Sequence, residues 1–319
     1  MFLNCCLFLP PMSIEKTFEG EVDQYTPIEK IDRGGQGEKY IAVDTLKNQR
    51  LLKIPNNSKD ESASRAFYVL DSILKEQDAL RTVKHPSIVE LKDVSKAKSE
   101  PFNVLEYIEG FDLDRIITSE RPYPVQLCVK IATELCDALA EVHKHNLYHG
   151  DVKPGNIMMT NDGKIKLIDF GLSGVPGKTL RCFMGTPHFA APEQIDRKPE
   201  LASDIYSAGL TLYALLAGEP PFIGGSYRVV CKQLKEDTPD IREKNPAVPC
   251  DLAEIISKAT RKKVSERYES AEEMAEALRK SSQAYFDSLE VYFPGCFDSK
   301  GNEKISTQTT IKGLKATYK

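Results

Sequence analysis

A chain of 319 residues with 41% hydrophobic and 28% charged residues has the make-up of a soluble enzyme and can bury one large core or two medium ones. Its formal net charge of −4 gives no footing for a nucleic-acid partner, and no run approaches the ~20 apolar residues of a membrane-spanning helix. The eight cysteines are scattered without a CxxC pair and the histidines do not cluster; neither a zinc site nor a disulfide framework is indicated, and reduced thiols in a cytoplasmic protein are expected.

Met1–Pro11 is apolar but short and lacks a basic leading region. We read 1–20 as a disordered extension with the true start at Met12; the alternative is an acylated anchor through Cys5 and Cys6. Residues 25–55 alternate as paired strands do, with Tyr25–Ile31, Tyr40–Val43 and Leu51–Ile54 around a glycine-rich turn. At Gly34, Gly35 and Gly37 no Cβ keeps the backbone away from phosphates. Lys53 falls on the third strand, 16 residues past Gly37. Residues 60–84 read as a helix, with Phe67, Leu70, Ile73, Leu74 and Leu80 near helical spacing, and Glu76 lies nine residues ahead of the His85-Pro86 turn. Ser87–Val94 and Phe102–Gly110 continue the sheet.

The periodicity of 125–147 predicts a helix whose Val125, Leu127, Ile131, Leu135, Leu139 and Val142 line a buried face. It delivers the run His149-Gly150-Asp151-Val152-Lys153-Pro154-Gly155-Asn156. A hairpin with an Asn161-Asp162-Gly163 turn follows, and then Asp169-Phe170-Gly171. Two acids and an amide at this spacing suit a site that holds metal-bound phosphates beside an acceptor hydroxyl. Such a hydroxyl is a poor nucleophile with its proton in place, and Asp151 is the candidate to accept or orient that proton.

With Gly185-Thr186-Pro187, Ala191-Pro192-Glu193, Asp204 and Arg267 following in order, these motifs resemble those of protein kinases over about residues 25–280. Asp151 followed two residues later by Lys153 is the Ser/Thr variant of the loop. The resemblance implies an α+β, two-lobed protein-kinase-like fold. A small antiparallel β-sheet N-lobe with one main helix would span about 21–105, a larger, mainly helical C-lobe about 109–283, and a tail 284–319. It also implies ATP and Mg²⁺ as cofactors and Ser/Thr hydroxyls of proteins as acceptors. ATP would be held by the backbone of Gly34, Gly35 and Gly37 and by Lys53, paired with Glu76, on the α- and β-phosphates. The Glu106 carbonyl and Ile108 amide would bond the adenine edge beside the gatekeeper Leu105, with Asp112 at the ribose and Met158 under the base. Lys153 would neutralise charge on the γ-phosphoryl group, and Asn156 and Asp169 would bind Mg²⁺, which prefers oxygen ligands. Thr186 would contact Asp151 and Lys153, and a buried Arg267–Glu193 pair would staple the docking segment to its lobe. Asp204 would cap its own helix or hold the catalytic-loop backbone. His149, with Leu80, Leu91 and Phe170, would belong to a stacked spine and do no chemistry.

Several positions depart from the family pattern. Asp32 stands where the first glycine is expected, Lys39 where an apolar residue roofs the adenine, and Leu51 where a small alanine covers the base. Gly150 replaces the arginine that commonly pairs with a phosphorylated activation loop, and Cys182 occupies the usual phosphosite. An activation loop that orders without the usual phosphorylation switch follows, with Thr179 as an autophosphorylation alternative. Gly155 and Ala214 lack the acids that read arginine in basophilic relatives, so no strong preference for upstream basic residues is expected. Two other readings remain: an aminoglycoside-kinase-like small-molecule phosphotransferase, which shares His-Gly-Asp and the Asn five positions after the Asp, and a pseudokinase scaffold. The docking apparatus around Glu193 and Arg267 weighs against the first. The complete set Lys53, Glu76, Asp151, Asn156 and Asp169 weighs against the second.

Overall fold

The alternating and the periodic parts of the sequence build different kinds of structure. In a computed structural model, which describes residues 17–34, 37–55, 63–97, 100–117 and 123–292, the chain divides into two units, Met1–Arg81 with Glu90–Tyr107 and Thr82–Val89 with Ile108–Lys319. The expectations on Gly35, on residues 1–16 of the extension with Cys5 and Cys6, and on the segment beyond Tyr292 lie outside the described residues, whereas residues 17–20 of that extension carry a short strand, Phe18–Glu19, paired with Gln24 and Tyr25 rather than disorder.

The first unit carries a six-stranded antiparallel sheet in the order β1-β2-β3-β4-β6-β5. Its strands are β1 (Phe18–Glu19), β2 (Gln24–Gly34), β3 (Gly37–Val43), β4 (Gln49–Ile54), β5 (Leu91–Val94) and β6 (Asn103–Glu106), with one helix, α1 (Ala63–Thr82), inserted between β4 and β5. The alternation gathers Tyr25, Ala42, Leu52, Phe102 and Val104 into one buried cluster, with Phe18, Tyr40 and Ile54 packed against it. Asp93 ties the sheet edge together. Its carboxylate accepts the Tyr25 hydroxyl at 2.9 Å and the N–H groups of Glu21, Val22 and Asp23, each at 3.1 Å.

Of the five residues that the sequence suggests for helix α1, Ile73 and Leu80 are buried and Phe67, Leu70 and Leu74 are not. Its inward stripe is Val69, Ile73, Glu76 and Leu80, whereas Phe67, Leu70 and Leu74 are 61%, 36% and 43% exposed. The inward residues recur at helical spacing, but the third of them is charged.

The second unit begins its fold with a three-stranded antiparallel sheet of β7 (Gly110–Asp112), β8 (Ile157–Thr160) and β9 (Ile165–Leu167). The helices are α2 (Asp114–Ile117), α3 (Val125–Lys144), α4 (Pro192–Ile195), α5 (Leu201–Ala217), α6 (Ser226–Lys235), α7 (Cys250–Ala259) and α8 (Ala271–Tyr292). Helix α3 buries all six residues that its periodicity marks. Helix α5 is buried on every side from Ser203 to Leu216, as a helix apolar all round must be. A capping box between Glu200 and Ser203 starts it, and Gly218, in the left-handed region at φ 77°, ends it. Helix α8 continues past residue 284, where the sequence predicts a tail, to Tyr292. Among the described residues no helix is long and apolar enough to cross a membrane. The α+β pairing of a sheet-built unit with one main helix and a mainly helical unit is the fold class that the motifs imply.

Candidate active site

In the first unit, hairpin β2–β3 closes with Gly34 opposite Gly37. Gly37 lies at φ +114°, and a Cβ there would sit 2.4 Å from the Ile54 carbonyl oxygen, so only glycine fits. The register makes Asp32 and Lys39 cross-strand partners, and Lys39 in turn partners Lys53. Two of the departures from the family pattern are thus neighbours of each other, and one of them, Lys39, is also the neighbour of the predicted phosphate-binding lysine.

Lys53 is 4% exposed and Glu76 is 0% exposed. Buried charges persist only when paired and hydrogen-bonded. Lys53 Nζ donates to Glu76 Oε1 at 2.8 Å. From β6, Asn103 Nδ2 donates to Glu76 Oε2 at 3.1 Å and to the Ile73 carbonyl at 3.0 Å. This clamp is why α1 turns an acid inward and leaves Phe67 and Leu74 outside. Sequence reasoning missed Asn103, although one amide inside the apolar run Phe102–Leu105 is a signal. Leu105 is buried, Glu106 ends β6, and Ile108 is the first residue of the second unit after the crossing.

In the second unit, Asp112 on β7 is the register partner of Met158 on β8, which places these two predicted nucleotide contacts on one face. Helix α3 delivers the loop and α5 pins it. Asp204 accepts the His149 N–H at 2.7 Å and the Gly150 N–H at 3.0 Å, and His143 Nε2 lies 3.0 Å from the same carboxylate. Because Glu200 supplies the helix cap, Asp204 serves the loop backbone, the second of its two expected roles. His149 faces inward: its ring meets Phe170 edge to face at 4.7 Å, and its Nδ1 accepts the Asp151 N–H at 3.2 Å.

Asp151 is held on both carboxylate oxygens. Oδ1 accepts the Thr186 N–H at 3.0 Å and the Thr186 hydroxyl at 2.9 Å. Oδ2 accepts Asn156 Nδ2 at 3.0 Å and lies 2.8 Å from Lys153 Nζ. Lys153 Nζ also donates to Thr186 Oγ1 at 2.7 Å, closing a ring of three side chains. The carboxylate is therefore held in one orientation by Thr186, Asn156 and Lys153.

Asn156 Nδ2 donates to the Asp151 carbonyl as well, at 2.8 Å. With its nitrogen committed, the amide oxygen is the atom available to a cation. Asp169 stands at φ +67°, a left-handed conformation that costs a non-glycine residue about 1–3 kcal/mol and concentrates at functional sites. An amide oxygen and a carboxylate are hard donors that fit Mg²⁺. Among the described residues no group of three or more His, Cys, Asp or Glu could hold a metal ion, so Mg²⁺ here would draw its other ligands from phosphate and water.

The segment after Met184 is fastened along its length. Gln194 Nε2 donates to the Met184 carbonyl at 3.0 Å, Gln233 Nε2 on α6 donates to the His188 carbonyl at 2.9 Å, and Ser207 Oγ donates to the Phe189 carbonyl at 2.7 Å. None of these three residues was singled out in the sequence. Glu193 and Arg267 form a two-pronged pair, Nη1–Oε1 at 2.7 Å and Nη2–Oε2 at 2.8 Å. The remaining guanidinium hydrogens go to the carbonyls of Arg261, Ala202 and Lys262, so all five donors are used. Gly155 has an unforeseen neighbour: a Cβ there would lie 2.3 Å from Asp114 Oδ2.

The family model described as protein kinase domain matches residues 25–279. The chain is 31% identical over 293 residues to the probable serine/threonine-protein kinase PknB of Lactococcus lactis, covering 89% of this chain and 44% of that protein. It is 31% identical over 284 residues to serine/threonine-protein kinase PrkC of Bacillus subtilis (86% and 42% covered), and 30% identical over 263 residues to PknB of Mycobacterium leprae (79% and 42%). The chain therefore spans less than half the length of these curated relatives. With the match running through every motif from the glycine turn to Arg267, the chain belongs to the protein kinase domain family.

Proposed function

We propose that this chain is the catalytic domain of a Ser/Thr protein kinase, moving the γ-phosphoryl group of ATP to a protein hydroxyl with Mg²⁺. The observation that carries the reading is the Asp151–Lys153–Thr186 ring with Asn156 behind it. Asp151 takes or orients the proton of the acceptor hydroxyl, and Lys153, two residues along the same loop, meets the charge on the transferred group. Lys53, fixed by Glu76 and Asn103, binds the α- and β-phosphates. Gly34, Gly35 and Gly37 cover them, and Glu106, Ile108, Asp112 and Met158 receive the adenosine. Asn156 and Asp169 hold Mg²⁺, which when bound neutralises phosphate charge. The fastened segment from Met184 to Phe189, stapled through Glu193 and Arg267, supports a polypeptide acceptor rather than a small molecule.

Activity without the usual activation-loop phosphorylation belongs to the same reading. Gly150 brings no side chain to meet a phosphate, and Cys182 is exposed at the usual phosphosite. Cys128, Cys136, Cys231 and Cys250 are free thiols, in keeping with a reducing, cytoplasmic setting. The reading is tested by incubating the protein with γ-labelled Mg-ATP and a generic protein substrate before and after phosphatase treatment. Label on Ser or Thr of the substrate in both cases is expected. Transfer only to sugars or antibiotics, or loss of activity on dephosphorylation, contradicts its two halves respectively.

A further inference from the structure

The backbone of Gly150, immediately before Asp151, is held on both its N–H and its carbonyl. Its N–H donates to Asp204 Oδ1 at 3.0 Å, and its carbonyl accepts Gln194 Nε2 at 2.6 Å. The second hydrogen of the same Gln194 amide goes to the Met184 carbonyl at 3.0 Å. Gln194, on the four-residue α4, is 4% exposed. One neutral amide therefore spans the catalytic loop and the segment that carries Thr186.

Two glycines make room for this bridge. Gly150 lies at φ +83°, where a Cβ would be 2.7 Å from the Leu172 carbonyl oxygen. Gly185 lies at φ +117°, where a Cβ would be 2.8 Å from Gln194 Nε2 itself. Residue 150 thus offers no side chain to tie the two segments, and its buried carbonyl is used instead. Asp151 Oδ1 in turn binds residue 186, so the segments 150–151 and 184–186 are joined at two points.

We propose that Gln194 is the positioning residue that holds the Thr186 segment against Asp151, replacing a charge-dependent tie with two neutral hydrogen bonds. This rests on the kinase reading, since the consequence is that the segment is ordered irrespective of phosphate on residues 178–183. Buried carbonyls stripped of a donor are unfavourable, so loss of the amide releases the Thr186 segment, while Asp204 still holds the loop at His149 and Gly150 and the nucleotide-binding groups stay in place.

The test compares Gln194→Met, similar in length but without donors, and Gln194→Glu, which sets a carboxylate against two carbonyls. Two readouts are taken: steady-state kinetics per folded protein, and amide hydrogen exchange over residues 183–188. Expected are a fall in kcat of about tenfold or more, an ATP KM within about twofold of wild type, and faster exchange confined to 183–188. Wild-type kcat/KM in Gln194→Met, or exchange that rises only in step with the whole second unit, overturns the proposal. If the variants do not fold, exchange in phosphatase-treated wild type decides: protected 183–188 amides support the bridge and unprotected ones refute it. If the wild type transfers no phosphoryl group at all, the kinase reading fails while the exchange arm still judges the bridge.

Discussion

Replacing Arg267 by Met removes one half of an ion pair whose arginine side chain is 0% exposed and whose glutamate is 13% exposed. The guanidinium also stacks over Tyr206 at 4.9 Å, and a methionine preserves much of that contact while supplying no donors. Glu193 would keep only the Ser203 hydroxyl, at 2.6 Å, and three carbonyls would lose their donor. Breaking a buried pair on one side costs about 3–5 kcal/mol. At about 2–4 °C per kcal/mol for a unit of this size, Tm falls by roughly 6–20 °C. Denaturant unfolding should show a lower midpoint with an unchanged slope. Glu193→Met alone should cost a similar amount, and the double variant less than the sum of the two, because the second change no longer strands a charge. A loss below about 1 kcal/mol for Arg267→Met, or strict additivity, would refute the claim that this pair staples the segment.

Other outcomes follow from the same contacts. Glu76→Ala leaves the Lys53 ammonium without its 2.8 Å partner and should cost about 3–5 kcal/mol of stability and weaken nucleotide binding, both read by unfolding with and without ATP. Gly150→Ala forces an alanine to φ +83° and should lose about 1–3 kcal/mol, measured the same way. Lys262, which donates to the Tyr206 hydroxyl at 2.8 Å, has its pKa pulled by burial from 10.5 to about 8. Between those values the unfolded chain holds a proton that the folded one has released, so this group adds stability as pH rises from about 8 to 10. Lys262→Met lacks that contribution; its advantage over wild type should be largest below pH 8 and shrink above it, and parallel pH profiles would contradict this.

The fold class could be read from the sequence, and of the residues singled out there Lys53 meets Glu76 while Asp151 meets Lys153, Asn156 and Thr186. What supports them was harder to see. Asn103, Gln194 and Gln233 act largely on backbone carbonyls, which every residue carries, so nothing in the partner's identity announces the contact. The inward face of α1 was obscured for a related reason. Its burial is driven by the charged clamp at Glu76, and a reading that follows apolar residues drifts to Phe67, Leu70 and Leu74 on the exposed side. Asp114 escaped notice because its relation to Gly155 is a matter of space across the chain, not of spacing along it. The role of Asp204, by contrast, was narrowed to two options in advance, and its hydrogen bonds to His149 and Gly150 chose between them.

The most direct test of the central claim compares wild type with Asp151→Asn in transfer of labelled phosphate from Mg-ATP to protein, alongside nucleotide binding by both. The account predicts Ser/Thr-labelled product from wild type, a loss of about 10²-fold or more in Asp151→Asn, and nucleotide affinity little changed between them. Nucleotide binding by wild type with no transfer to protein, or equal transfer by both proteins, would contradict it.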